Sequence, residues 1–312
     1  HPIHPCIIQI RVVGPELILH RFVETLAGQC DLIGGRCLLH TAAARALVHR
    51  LKYQGLVAAA GPLAGVMAGL LGVGGGLVIV PVLVWLFRKL GMEESVVMHL
   101  AVGTSLATIV MTSISSVRSH HRRGAVRWSL FWQLTPGIVA GALLGAVIAE
   151  QLETLWLQRV FGAFAILVSF QMVFSSKVQP HRQLPGKPGM AAAGGMIGTI
   201  SSVVGIGGGS MTVPFLTWNN LPMVNAVATS SACGLPIAIA GATGFLVAGW
   251  GNQALPAWSS GYLYWPAAAG IVVTSVLMAP VGARLAHQLP VKTLRKIFAA
   301  LLFVIGIRLL VG

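Results

Sequence analysis

Charge is what this chain has least of. Only 9% of its 312 residues are Asp, Glu, Lys or Arg, where a water-soluble domain carries about a quarter. No soluble surface can be assembled from so few, and the solvent along most of the chain is lipid. Acidic residues are scarcest: Glu16, Glu24, Asp31, Glu93, Glu94, Glu150 and Glu153 are all of them, and none falls inside a long apolar run. That removes the carboxylate pair of a hydrolase and the intramembrane acid of a proton relay. The cysteines are Cys6, Cys30, Cys37 and Cys233, spaced for neither a zinc site nor a disulfide framework. No Gly-Lys-Ser/Thr follows a glycine cluster, which excludes a nucleotide loop. No metal or other cofactor is expected, and no catalytic residue is assigned.

What is present is apolar: 55% of the residues are hydrophobic and the mean hydropathy is +0.82. The net charge of +14 would suggest nucleic acid in a soluble protein. Here Arg118, Arg122, Arg123 and Arg127 crowd one short segment between apolar runs, as cytoplasmic loops of membrane proteins do. Nucleic acid is not an expected partner. A membrane span needs about 20 apolar residues, and the candidates are 56–87, 96–117, 129–149, 155–174, 189–217, 223–248, 262–283 and 292–311. Residues 1–54 hold no such run. They read as a poorly ordered, dispensable N-terminal extension that need not be native.

The apolar part repeats itself. Gly72-Val73-Gly74-Gly75-Gly76 recurs as Gly205-Ile206-Gly207-Gly208-Gly209. The same offset carries Val80 to Val213, Pro81 to Pro214 and Trp85 to Trp218. Thr104-Ser105 corresponds to Thr229-Ser230, Gly145-Ala146 to Gly282-Ala283 and Phe161 to Phe298. The expected organisation is a first transmembrane repeat over 55–175, a cytoplasmic linker over 176–188 and a second repeat over 189–312.

Three consecutive glycines weaken a helix by about 1 kcal/mol each relative to alanine, and Pro81 and Pro214 follow closely without a helical donor. Both long runs should break there. Non-helical backbone at membrane depth survives only where protein or a watery cavity covers it, and paired breaks point to a transporter's substrate site. Bare glycine backbone lets N–H groups converge on a ligand. A helix restarting beyond the break presents its positive end, which suits an anion. The expected substrate-binding residues are therefore Gly74, Gly75 and Gly76 with Gly207, Gly208 and Gly209, joined by the hydroxyls of Thr104, Ser105, Ser210, Thr229 and Ser230. Thr212 and Ser231 are further donors. The evenly spaced Gly61, Gly65 and Gly69, and Gly137, Gly141 and Gly145, read instead as helix-packing stripes.

The segments Gly-Val-Gly-Gly-Gly-Leu-Val-Ile-Val-Pro over 72–81 and Gly-Ile-Gly-Gly-Gly-Ser-Met-Thr-Val-Pro over 205–214 resemble the TauE/SafE sulfite-exporter family. So do Gly103-Thr104-Ser105, Gly124-Ala125-Val126 and the pair Gly141 and Gly145-Ala146. The likeness runs from about residue 56 to the end. It implies a multi-pass permease of the bacterial inner membrane for small anions such as sulfite, sulfonates or sulfoacetate. A passive anion channel, a carrier of non-sulfur carboxylates and, remotely, an intramembrane enzyme are the alternatives. A homodimer stays open as an assembly.

The fold expected is all-α and integral to the membrane, with two homologous repeats of about four helical elements and glycine-broken helices at the centre. Eight full crossings would put the basic loops 118–127 and 284–296 on opposite sides, against the positive-inside rule. If the glycine-broken run of each half enters and returns, each half crosses three times and the halves are inverted. Such halves exchange roles to give alternating access around a midplane site.

Overall fold

The computed structural model describes residues 75–174, 184–273, 275 and 291–311. The chain divides into two units, 1–53 and 54–312, and every described residue lies in the second. The expectations for residues 1–54, for Gly61, Gly65, Gly69 and Gly74, and for most of the linker lie outside the described residues.

Helix α1, Gly76–Lys89, starts from Gly75 at φ 62 and ends on Arg88 and Lys89. Helix α2, Glu94–Arg122, has 29 residues, about 44 Å of length at 1.5 Å per residue. That exceeds a hydrocarbon core of about 30 Å, and its two ends carry the charges: Glu94 at the start, His120, His121 and Arg122 at the finish. Helices α3, Trp128–Gln151, and α4, Thr154–Phe174, follow across short connections. Beyond the linker, α5 spans Lys187–Val204, α6 spans Gly209–Trp218 and α7 spans Met223–Ala248. A two-residue antiparallel ladder pairs β1, Ser259–Ser260, with β2, Leu263–Tyr264. A helical stretch over 265–273 leads onward, and α8 covers Val291–Val311.

Among the described residues, α2, α3, α4 and α7 are each long and apolar enough to cross a membrane. The chain is a helical membrane protein. Its outer face carries exposed Leu143, Leu144, Leu167, Phe170 and Val304, the surface expected against acyl chains. Trp132, Trp250 and Trp258 are also exposed, as interface anchors are.

The packing interlocks segments from either side of the linker: α3 lies along α5, α2 along α7, and α4 along α8. The α3–α5 seam is tight because glycines line it. A Cβ on Gly137 would strike the carbonyl of Ala191, one on Gly141 the carbonyl of Gly195, and one on Gly145 would sit 2.5 Å from the Thr199 carbonyl. Two apolar cores result. One gathers α1, α2, α4 and α8 around Phe87, Leu100 and Phe161. The other joins α3, α6 and α7 around Leu134, Leu216 and Ile237.

Candidate functional site

The apolar run 189–217 is occupied by two helices, with residues 205–208 between them. Helix α5 closes on Gly205 at φ 75, whose N–H donates to the Ser202 carbonyl at 3.2 Å, while that of Ile206 donates to the Ser201 carbonyl at 2.9 Å. Helix α6 opens from Gly208 at φ 72. Left-handed backbone at both positions costs an L-residue about 1–2 kcal/mol and glycine nothing. The Gly208 carbonyl accepts from the N–H groups of Thr212 at 2.8 Å and Met211 at 3.1 Å. No backbone acceptor among the described residues meets the N–H groups of 207–210. They stand at the positive end of α6, as the first N–H groups of any helix do.

Helix α1 starts in the same way. Gly75 is left-handed, and its carbonyl accepts from the N–H groups of Val78 at 2.9 Å and Ile79 at 3.0 Å. The start of α1 abuts the turn between α5 and α6: a Cβ on Gly76 would lie 2.5 Å from the Gly205 carbonyl oxygen and 2.9 Å from the Ile206 Cα. Ser105 holds the turn from the third side, its Oγ donating to the Gly205 carbonyl at 2.9 Å.

Around Gly208 the lining is mixed: Ile237 Cδ1 lies nearest, and two hydroxyls follow. The place its Cβ would take lies 3.4 Å from Thr212 Oγ1 and 3.6 Å from Ser201 Oγ. Both side chains are fully buried, and neither hydroxyl has a partner among the described residues. Ser202, Ser210 and Ser230 carry buried, unpartnered hydroxyls too. Ser230 lies on α7 at helical spacing from Gly234 and Ile237, the residues that touch Gly207 and Gly208. A buried hydroxyl without a partner is a cost that folding alone does not explain. Several beside unused backbone N–H groups form a donor-rich spot between the two apolar cores.

The sequence-predicted residues divide into two groups. Gly75, Gly76, Gly207, Gly208, Gly209, Ser210 and Ser230 fall at or beside the paired helix starts. Thr104, Ser105 and Thr229 hold the scaffold together: Thr104 Oγ1 accepts from the Tyr264 N–H at 3.0 Å, and Thr229 Oγ1 from the Arg127 N–H at 3.1 Å. Ser231 is turned back onto its own helix at the Val227 carbonyl. Sequence reasoning missed Ser201 and Ser202. The repeat offset held the signal, because Ser201, Ser202, Ser210 and Thr212 stand where the first copy has Ala68, Gly69, Leu77 and Ile79. His99 is fully engaged away from this spot: its Nε2–H donates to the Ala149 carbonyl at 2.9 Å, and its ring stacks 5.0 Å from that of Tyr262.

Comparison with known proteins agrees with this geometry's membrane setting. The family described as sulfite exporter TauE/SafE matches residues 57–309. A probable membrane transporter protein of Haemophilus influenzae is 40% identical over 250 residues, covering 80% of this chain and 95% of that protein. A probable membrane transporter protein of Methanocaldococcus jannaschii is 26% identical, over 80% of this chain and 92% of its own. The probable membrane transporter protein YunE of Bacillus subtilis is 27% identical, over 80% and 94%. No solved structure matches the chain.

Proposed function

This chain belongs to the sulfite exporter TauE/SafE family, and from that membership we propose that it carries small sulfur oxyanions across a bacterial inner membrane. The substrates are sulfite, sulfonates and sulfoacetate as a class. The observation that carries the reading is the pair of buried hydroxyls, Ser201 and Thr212, converging without partners on Gly208 where α6 begins. Hydroxyls and helix-start N–H groups are donors, and three or four donors around one small volume match a tetrahedral or pyramidal oxyanion.

The transport cycle is alternating access by two inverted halves that meet at Gly76 and Gly205. Support comes from the equivalent backbone at Gly75 and Gly208 and from the reciprocal threonine contacts. Thr104 precedes the linker and binds a residue beyond it, while Thr229 follows the linker and binds a residue before it. The substrate binds within the membrane between the two apolar cores, and each half closes over it in turn.

Counterflow in proteoliposomes tests this. Labelled sulfite is supplied outside, with unlabelled sulfite, a sulfonate, a carboxylate or chloride trapped inside. Saturable uptake driven by trapped sulfite or sulfonate but not by chloride is the expected result. Non-saturable flux would make the protein a channel. Uptake driven by carboxylates alone would leave the carrier and change its substrate.

A further inference from the structure

The donor-rich turn meets no ionised partner among the described residues. Among the described residues no Asp, Glu, Lys or Arg side chain is buried. The elements packed around 205–208 present Val80 from α1, Val102 and Ile109 from α2, Ser201 from α5, Thr212 from α6 and Ile237 from α7. None of these ionises. Arg127, whose backbone reaches Thr229, has its own side chain exposed. The buried titratable groups described on the surrounding helices are His99 on α2, held against the Ala149 carbonyl, and the thiol of Cys233 on α7. Arg88 and Lys89 of α1, Glu94, Arg118, His120, His121 and Arg122 of α2 and Lys187 of α5 are half-buried or exposed toward the helix ends. Every described group facing Gly208 is a neutral side chain or a backbone dipole, so among the described residues an anion there meets dipoles alone.

Dipoles and desolvation scale differently with charge. The cost of moving an ion out of water rises with the square of its charge, so a dianion costs about four times what a monoanion of similar size does. The attraction of hydroxyls, N–H groups and the half-charge at a helix start rises only in proportion to the charge. A site with a buried Arg or Lys escapes this limit, and a neutral site does not. Resting on the carrier reading above, we infer that this site selects by charge and takes monoanions. Sulfite crosses as hydrogen sulfite. This narrows the class proposed above: organic sulfonates bearing one charge are accepted, while sulfoacetate, whose added carboxylate makes it a dianion, is excluded.

The test uses the wild-type protein in proteoliposomes, with protein-free vesicles subtracted. Labelled methanesulfonate is placed outside. Methanesulfonate, ethanedisulfonate or butanesulfonate is trapped inside, the last matching the disulfonate in length with a single charge. Trapped monosulfonates are expected to drive uptake at least about tenfold better than the disulfonate, a difference of about 1.4 kcal/mol. In a second arm the pH is raised through the second ionisation of sulfite. Sulfite exchange is expected to fall while methanesulfonate exchange stays level, because only sulfite changes charge. If the disulfonate drives uptake as well as butanesulfonate, or sulfite exchange is unchanged by pH, selection by charge is wrong and the carrier stands. If neither sulfite nor any sulfonate exchanges with itself, the carrier reading falls and this inference with it.

Discussion

At Gly208 two constraints coincide. Its φ of 72 disfavours any L-residue, and a Cβ there would run into the Ile237 Cδ1. Gly208→Val is expected to abolish counterflow while membrane insertion persists. Gly91 is the control. Its φ is 67 but nothing lies within 4 Å of its missing Cβ, so Gly91→Ala should lower stability by about 1 kcal/mol and leave transport intact. The hydroxyls give a sharper contrast. Ser201 and Thr212 are buried without partners, a condition that costs about 1–3 kcal/mol. Ser201→Ala and Thr212→Val should therefore keep or raise the thermal unfolding temperature. Transport should nonetheless fall about tenfold or more, since a hydrogen bond to a charged ligand contributes about 1.5–3 kcal/mol. Lower stability with normal transport would make both residues structural.

The long helices are tied together by side chains acting at a distance in sequence. Thr104 on α2 and Thr229 on α7 each accept a backbone N–H from a connection across the linker. Thr104→Val orphans the buried Tyr264 N–H and should cost about 1–3 kcal/mol, read as a lower unfolding temperature in detergent; Thr229→Val frees the part-buried Arg127 N–H and should cost less. Thr→Ser at the same positions should restore most of the loss. A second tie runs through Gln158 of α4, fully buried. It donates to the Leu309 carbonyl of α8 at 3.0 Å and accepts from Arg88 of α1 at 2.8 Å. The seam between α3 and α5 is set by the absence of side chains. Gly141→Leu would drive a branched chain into the Gly195 carbonyl, and the expected result is loss of folded, monodisperse protein. The glycine stripe of α3 was legible from its even spacing. Its partner stripe on α5, Gly194 and Gly198, stands at the repeat offset from Gly61 and Gly65 and meets the Leu134 and Ile138 carbonyls of α3; spacing shows that a face is small but not which helix comes to it.

For the molecule as a whole, the distribution of basic loops and the short α1 and α6 argue for halves that cross three times each. Helix α6 has 10 residues, about 15 Å, half of what a crossing requires. The proposed inverted arrangement puts loops 249–261 and 284–296 on opposite faces of the membrane. Single cysteines introduced into each, labelled with an impermeant reagent, should react from opposite sides. Labelling of both from one side would replace inversion with parallel halves. Carrier turnover would then need a different geometry of closure.

The sequence by itself determined the solvent, the helical class and the position of the glycine pairs, because each follows from local quantities: how few charges there are, how long the apolar runs are, where three glycines stand in a row. It also placed seven of the candidate residues beside the paired helix starts. It did not separate the hydroxyls that hold the scaffold from those left without partners. Thr104, Thr212, Thr229 and Ser230 look alike along the chain, all small, polar and set in apolar surroundings. What distinguishes them is whether a donor or acceptor from a distant connection arrives within hydrogen-bond reach, as the N–H groups of Tyr264 and Arg127 do for two of them and nothing described does for the others. That outcome depends on how α2, α5 and α7 pack against one another, a property of the tertiary structure alone.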